Sequence, residues 1–302
     1  MAMTLDDLMF KPGLLKGHRI LITGGGTGLG KEMAEGCVML GADVYICGRR
    51  GGVLQEAADD LMGRHGGKVT PIACDIRVPE AIHDMMEEIW AGGALTGLVN
   101  NAAGNFISRT EDLSTRGFDA IANIVFRGSF FVTLDAGKRW LAEKKKASVV
   151  SILTTWVWSG GPFTVPSAMS KAGLNVMTQS LAAEWGDRGV RFNAIAPGPF
   201  PTEGAWARLN PGTSAGGGGG RQETGSPLGR VGEMRELANL AVYLLHPLSE
   251  YVNGQTIAID GGGWNAGGGG FNRLRDWTDE QWEQARASIR GANEQDRAKR
   301  TV

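Results

Sequence analysis

The chain has 302 residues, 42% apolar and 21% charged, with a formal net charge of -1. That balance is ordinary for a soluble chain long enough to bury one full core, and it excludes a strong pull toward nucleic acid or an anionic membrane. No run of eighteen apolar residues predicts a membrane span, and the acidic start MAMTLDDLMFKPG does not read as a secretory signal.

Short apolar runs alternate with helical patterns, the signature of βαβ units. HRILITG (18–24) predicts the first strand, followed by a glycine turn and a helix from about Leu29 to Leu40. DVYICG (43–48) predicts the second strand, with a helix over 52–63, and KVTPIACD (68–75) the third, ending at an acid. Pro79 opens a helix carrying Ile82, Met85, Met86 and Ile89 on one side. LTGLVNNA (95–102) is the fourth strand, before a long helix from about Gly117 to Ala142. ASVVSIL (147–153), a helix from about Pro166 to Trp185, VRFNAIAPG (190–198), a helix from Met234 to Leu245 and QTIAID (255–260) complete the pattern. Apolar strands of this kind belong in a parallel sheet covered on both faces, so the expected fold is α/β, a doubly wound Rossmann fold with a parallel seven-stranded sheet flanked by helices.

No linker divides the chain, which reads as a single dinucleotide-binding domain over 1–302, with a variable substrate lid at 199–233 and a C-terminal helical extension at 271–302. Glycine is in excess at 47 residues, much of it in SAGGGGGRQ (214–222) and GGGWNAGGGG (261–270). Five consecutive glycines resist packing as helix or strand, so Gly216 to Gly220 read as a mobile surface loop to which no function is assigned. Cys37, Cys47 and Cys74 have no metal-ligand spacing and suit packing in a reducing compartment, and no metal is expected.

The turn TGGGTGLG (23–30) lies between a buried strand and a helix. Gly24, Gly28 and Gly30 let the backbone approach a pyrophosphate at the helix N-terminus, with Thr27 and Leu29 beside it. It lacks the GK[ST] ending of a P-loop, so a dinucleotide fits better than ATP. At the end of the second strand, Arg49 and Arg50 offer guanidinium forks for a 2′-phosphate, which points to NADP(H), although a solvated turn would also carry them. Asp75 sits where an adenine amine can lie. In NNAAG (100–104), Asn101, Ala102 and Gly104 bring small residues and backbone close to the ribose.

Together with PGPFPT (197–202), a strand ending in SIL and a helix bearing a lysine in VPSAMSKAG (165–173), these motifs resemble the short-chain dehydrogenase/reductase family, in its order and over nearly the whole chain. The resemblance implies that Lys171 holds the nicotinamide ribose, Thr154 steadies the substrate oxygen, Asn123 supports a proton-relay water, and Pro197 and Gly198 lie along the coenzyme. The family's catalytic tyrosine position holds Ser167, and the only tyrosines are Tyr45, Tyr243 and Tyr251. A serine is too weak an acid for the phenol's role, which disfavours simple alcohol or ketone chemistry. Read from the residues alone, Ser167 is either a donor in the site or a helix N-cap after Pro166.

GGGTGLGK, NNAAGNFIS, SLAAEWG and FNRLRDWTDEQW look most like the 2,4-dienoyl-CoA reductase branch, which also has serine at this position. The resemblance implies an NADPH-dependent homotetramer that reduces a 2,4-dienoyl-CoA thioester to a 3-enoyl-CoA, an auxiliary step of fatty acid β-oxidation. Two positions depart from that branch: Trp156 stands where a substrate-activating tyrosine is expected, and Arg127 where an asparagine is. Asn123 matches the broader family better. Arg127 either holds the thioester oxygen or a CoA phosphate, or points to solvent. Trp156 and Trp158 read as pocket wall or packing. Phe200, Trp206 and Leu209 are candidates for an acyl channel, and Arg208 or Arg230 for CoA phosphates.

Phe126, Phe130, Phe131 and Leu134 form an apolar stripe suited to subunit packing or to the sheet. With no visible transit segment, a bacterial cytoplasm is expected, although a mature mitochondrial-matrix form would look similar. Two other readings remain: a reductase of another enoyl or carbonyl substrate, and a non-catalytic dinucleotide-binding protein.

Overall fold

The computed structural model describes residues 3–202, 226–267 and 271–299. Seven strands form one parallel sheet in the order β3-β2-β1-β4-β5-β6-β7. They are β1 (Arg19–Thr23), β2 (Asp43–Gly48), β3 (Lys68–Ala73), β4 (Gly97–Asn100), β5 (Ala147–Ile152), β6 (Val190–Pro197) and β7 (Thr256–Ile259). Every residue of β4, β5 and β6 is buried, as a sheet covered on both faces requires. The strand order reverses between β1 and β4, and their carboxyl ends open the crevice where ligands of such sheets bind.

Two helical layers close the sheet. On one face, α1 (Gly28–Met39), α2 (Gly51–His65) and α8 (Met234–Leu245) bury Met33, Leu61 and Val242. On the other lie α3 (Pro79–Ala91), the long helix and α7 (Val165–Trp185), with Met86, Trp140 and Leu174 buried. Alternation along the strands feeds both layers: Val99 and Val150 point into the first, Leu98 and Val149 into the second.

The long helix departs from its expected regularity. It runs as α4 (Thr115–Ala122), a π turn (Asn123–Gly128) and α5 (Ser129–Glu143). The π turn ends where the helix presses on the β3–α3 connection, since a Cβ at Gly128 would lie 2.8 Å from the Ile76 side chain and 3.0 Å from its carbonyl. By length and composition alone, Thr115–Glu143 could cross a membrane, which a count of unbroken apolar residues overlooks. Here Val125, Val132, Ala136 and Trp140 are buried in the second layer, while 33% of the apolar window is buried in all.

After β5 comes the short α6 (Trp156–Ser159), and after β7 the short α9 (Gly263–Gly267). The expected C-terminal extension contains α10 (Asp279–Ala298), capped by the Thr278 hydroxyl, which accepts from Gln281 N at 3.3 Å. Its residues are almost all exposed.

Candidate active site

The glycine turn is shaped by contacts across the crevice. Gly24 has φ +67, and a Cβ there would lie 3.0 Å from Ala102 Cα. At Gly30 a Cβ would collide with the Gly24 carbonyl and the Asn101 amide. That amide donates to Thr23 O at 2.9 Å and Gly24 O at 3.3 Å, while Thr23 Oγ1 accepts from the backbone N–H groups of Asn101 and Ala102 at 3.0 and 2.9 Å. Asn101 is therefore a clamp on the turn, a role its sequence position did not reveal. Thr27 precedes α1 in extended geometry without a side-chain cap, so the first N–H groups of the helix, from Gly28 and Leu29 onward, face the crevice and suit an anion. Thr202 packs against Gly28, with 3.5 Å between a Cβ there and Thr202 Cγ2. Pro197 pairs with Ile259, and Gly198 N donates to Ile259 O at 3.0 Å, so both lie at the crevice end of β6.

Arg49 and Arg50 follow β2 and are exposed, and neither guanidinium has a carboxylate partner among the described residues. They are free to meet a phosphate. Asp75 lies beyond the last residue of β3 rather than in it. Its carboxylate takes a fork from Arg77, with Nε at 2.9 and 3.0 Å and Nη2 at 2.5 Å, and this partner holds its pKa below the usual carboxylate value. Gly104 stands beside Ile121 of α4, 3.3 Å from where a Cβ would be.

At the reacting end, α7 begins at Val165 with Thr164 at the cap position, so Ser167 is the third helical residue and not an N-cap. Ser167 and Lys171, one turn apart on the same helical face, are both buried. The Ser167 hydroxyl makes no hydrogen bond within the described residues, whereas Ser170 nearby returns its own to Pro166 O at 2.7 Å. Lys171 Nζ donates to the carbonyl of Ile152 at the end of β5, and burial lowers its pKa to about 8. Thr154 follows two residues later and is half-buried. The fold thus brings Lys171, Ser167 and Thr154 to one strand end. Asn123 opens the π turn, a distortion common at functional sites because it leaves a helical carbonyl without its usual donor.

Trp156 starts α6 half-buried, its ring against Gly161, where a Cβ would lie 2.9 Å from Trp156 Cδ2. Trp158 stacks on Trp264 at 5.3 Å and is a packing residue. The structure also places two further candidates. Arg127 donates to Arg77 O at 3.0 Å and lies 4.8 Å over the Phe131 ring, which directs it to the β3–α3 connection. Phe200 is buried in the first layer with α1 and α8, opposite the layer of α7, because the chain after β6 turns its ring onto Gly232. It also lines a cavity of about 250 Å³ with Leu228, Arg230, Glu236 and Asp260. There Arg230 is paired with Glu236 at 2.7 Å. Trp206, Arg208, Leu209 and Gly216 to Gly220 lie outside the described residues.

A family model described as enoyl-(acyl carrier protein) reductase matches residues 24–263. A Caenorhabditis elegans protein named "Probable 2,4-dienoyl-CoA reductase decr-1.2, (3E)-enoyl-CoA-producing" is 42% identical over 294 residues, covering 96% of this chain and 95% of that protein. A short chain dehydrogenase from Bacillus anthracis, solved by crystallography, is 38% identical with a TM-score of 0.74, covering 82% of this chain and 97% of that one. The chain belongs to the short-chain dehydrogenase/reductase family. As a member of that family it is an oxidoreductase, related to 2,4-dienoyl-CoA reductases. Another similar member is an Agrobacterium tumefaciens chain described as a candidate 2-deoxy-D-gluconate 3-dehydrogenase with bound NADP, 30% identical with a TM-score of 0.74, covering 85% of this chain and all of that one (100%).

Proposed function

We propose that this reductase uses NADPH to reduce a 2,4-dienoyl-CoA thioester to the 3-enoyl-CoA. The observation that carries the reading is Ser167: a largely buried residue whose hydroxyl makes no hydrogen bond among the described residues and is not fully enclosed, one turn before Lys171, in a site that lacks a phenol. Tyr45 is buried in β2, while Tyr243 and Tyr251 lie at and beyond the end of α8. When bound, the coenzyme supplies hydride to the far end of the conjugated system. The protein must then stabilise negative charge on the thioester oxygen and hold a water able to deliver a proton to carbon. Ser167 Oγ, Thr154 Oγ1 and the Trp156 indole N–H are donors for that oxygen, and Lys171 adds positive potential while orienting the ribose. The residues present fit the coenzyme: the turn at Gly24 and Gly30 excludes side chains, the α1 terminus offers N–H groups, and Arg49 and Arg50 are uncommitted. Support for the phosphorylated coenzyme comes also from the similar chain with bound NADP, and for the substrate from the name of the C. elegans relative.

Purified protein mixed with NADPH and 2,4-hexadienoyl-CoA is expected to bleach the dienoyl absorbance as NADPH is consumed. Consumption only with other enoyl or carbonyl acceptors would replace this substrate assignment with a broader one. Coenzyme binding without turnover on any acceptor would make the protein a dinucleotide sensor or scaffold. The same proposal includes a homotetramer built through the long helix and α7, where Phe126, Phe130, Met169 and Val176 are exposed.

A further inference from the structure

Behind the reaction centre lies a polar group that the chemistry above does not use. Asn100, Ser129 and Ser151 are each 1% exposed, and Asn100 Oδ1, Ser129 Oγ and Ser151 Oγ have no hydrogen-bond partner. Only two other buried side-chain atoms among the described residues, Arg19 Nε and Trp90 Nε1, share that condition. Buried oxygens of this kind are nearly always satisfied, by protein or by ordered water.

Strand register pairs two of the three, and a hydrogen bond from Asn100 to Thr133 links that pair to the helix that carries Ser129. Asn100 closes β4, and Ser151 is its partner on β5. Both alternate with residues of the first layer, so both face the second layer, on the side of Leu98 and Val149 and beneath α5. The Asn100 amide donates to Thr133 Oγ1 at 2.8 Å, which turns the side chain toward α5. Ser129 is one helical turn before Thr133, on the same face of α5. With its nitrogen engaged, Asn100 offers an acceptor, and each serine offers one donor and acceptor lone pairs. A buried water typically makes about three hydrogen bonds to such groups. The set is neutral, and no cluster of histidine, cysteine or carboxylate side chains suited to a metal occurs among the described residues.

We propose that Asn100, Ser129 and Ser151 bind one internal water that ties the carboxyl ends of β4 and β5 to the first turn of α5. Its effect on turnover rests on the function proposed above. The residue after Asn100 is the Asn101 clamp, the residue after Ser151 is Ile152, whose carbonyl receives Lys171, and Ser129 follows the π turn opened by Asn123. The three are positioning residues, acting through those neighbours.

A crystal structure of the full chain with NADPH, at a resolution that orders water, tests the site. One density peak within hydrogen-bond distance of all three oxygens is expected. Hydroxyls turned onto main-chain carbonyls, with no peak between them, would overturn the proposal. Ser151→Val fills the space with methyl groups and is expected to lose the peak. In kinetics it should lower kcat by roughly tenfold with the KM for NADPH within about twofold, and Ser151→Thr, which keeps a hydroxyl, should recover most of the loss. An unchanged kcat, or an equal loss in both variants, would remove the positioning role. If Ser151→Val does not fold, the wild-type map still decides the water. A wild-type protein that shows the peak but leaves dienoyl-CoA unreduced would count against the proposed function alone.

Discussion

Lys171 is a buried ammonium whose pKa is lowered to about 8 from 10.5 because burial disfavours its charge. The native state of the coenzyme-free protein therefore carries a cost that is full below pH 8 and fades as pH rises toward 10.5, where the unfolded chain also gives up the proton. Lys171→Met is expected to stabilise the coenzyme-free protein at pH 7 by on the order of 3 kcal/mol, read as a raised Tm, with the gain shrinking between pH 8 and 10. It should also cut turnover by about a hundredfold or more. Thermal unfolding across pH checks the first, and a gain that does not vary with pH would contradict the cause assigned to the shift. Arg49→Ala tests the other end of the coenzyme: NADPH should bind roughly tenfold or more weakly while NADH changes little, because only one carries the 2′-phosphate that a guanidinium fork recognises. Equal losses in a binding titration would return Arg49 to the solvated turn. At this scale the sequence was informative where a residue type is chemically costly to bury without purpose, as for Lys171. It was silent where side-chain direction decides: Arg127, open between a ligand and a solvent-facing group, donates to Arg77 O, and Phe200, a candidate channel wall, packs with the α1–α8 layer.

Among elements, the strands and α7 were legible to within a few residues because burial on both faces demands continuous apolar runs and Pro166 sits in the first turn of the helix. The glycine turn was legible too, since its spacing has one good explanation. What did not show were features produced by distant contacts: the π turn, whose end coincides with the press of Gly128 on Ile76, and the Asn101 clamp, which needs β4 beside β1. Gly30→Ala probes that second feature. Its methyl group has no space beside the Gly24 carbonyl and the Asn101 amide, so the turn must shift and NADPH affinity should fall by about tenfold or more. Wild-type affinity measured by fluorescence titration would show that the turn is looser than this packing implies.

For the molecule as a whole, the reversal of strand order between β1 and β4 places the glycine turn and the Lys171 end on the same rim of one sheet. Exposed Phe126 and Phe130 on the long helix, with Met169 and Val176 on α7, are the surface on which the proposed tetramer depends. Phe130→Glu combined with Val176→Glu is expected to yield smaller species in light scattering while leaving the monomer folded, since neither side chain is part of the core. A full-size assembly in that variant would move the interface elsewhere. The sheet also fixes how the coenzyme is received. Because the Asn101 amide already holds both carbonyls at the end of β1, the phosphate-facing N–H groups are aimed before any ligand arrives. Little of the association free energy is then spent on freezing the loop, and the backbone of residues 23–30 should superpose closely between the free and loaded protein.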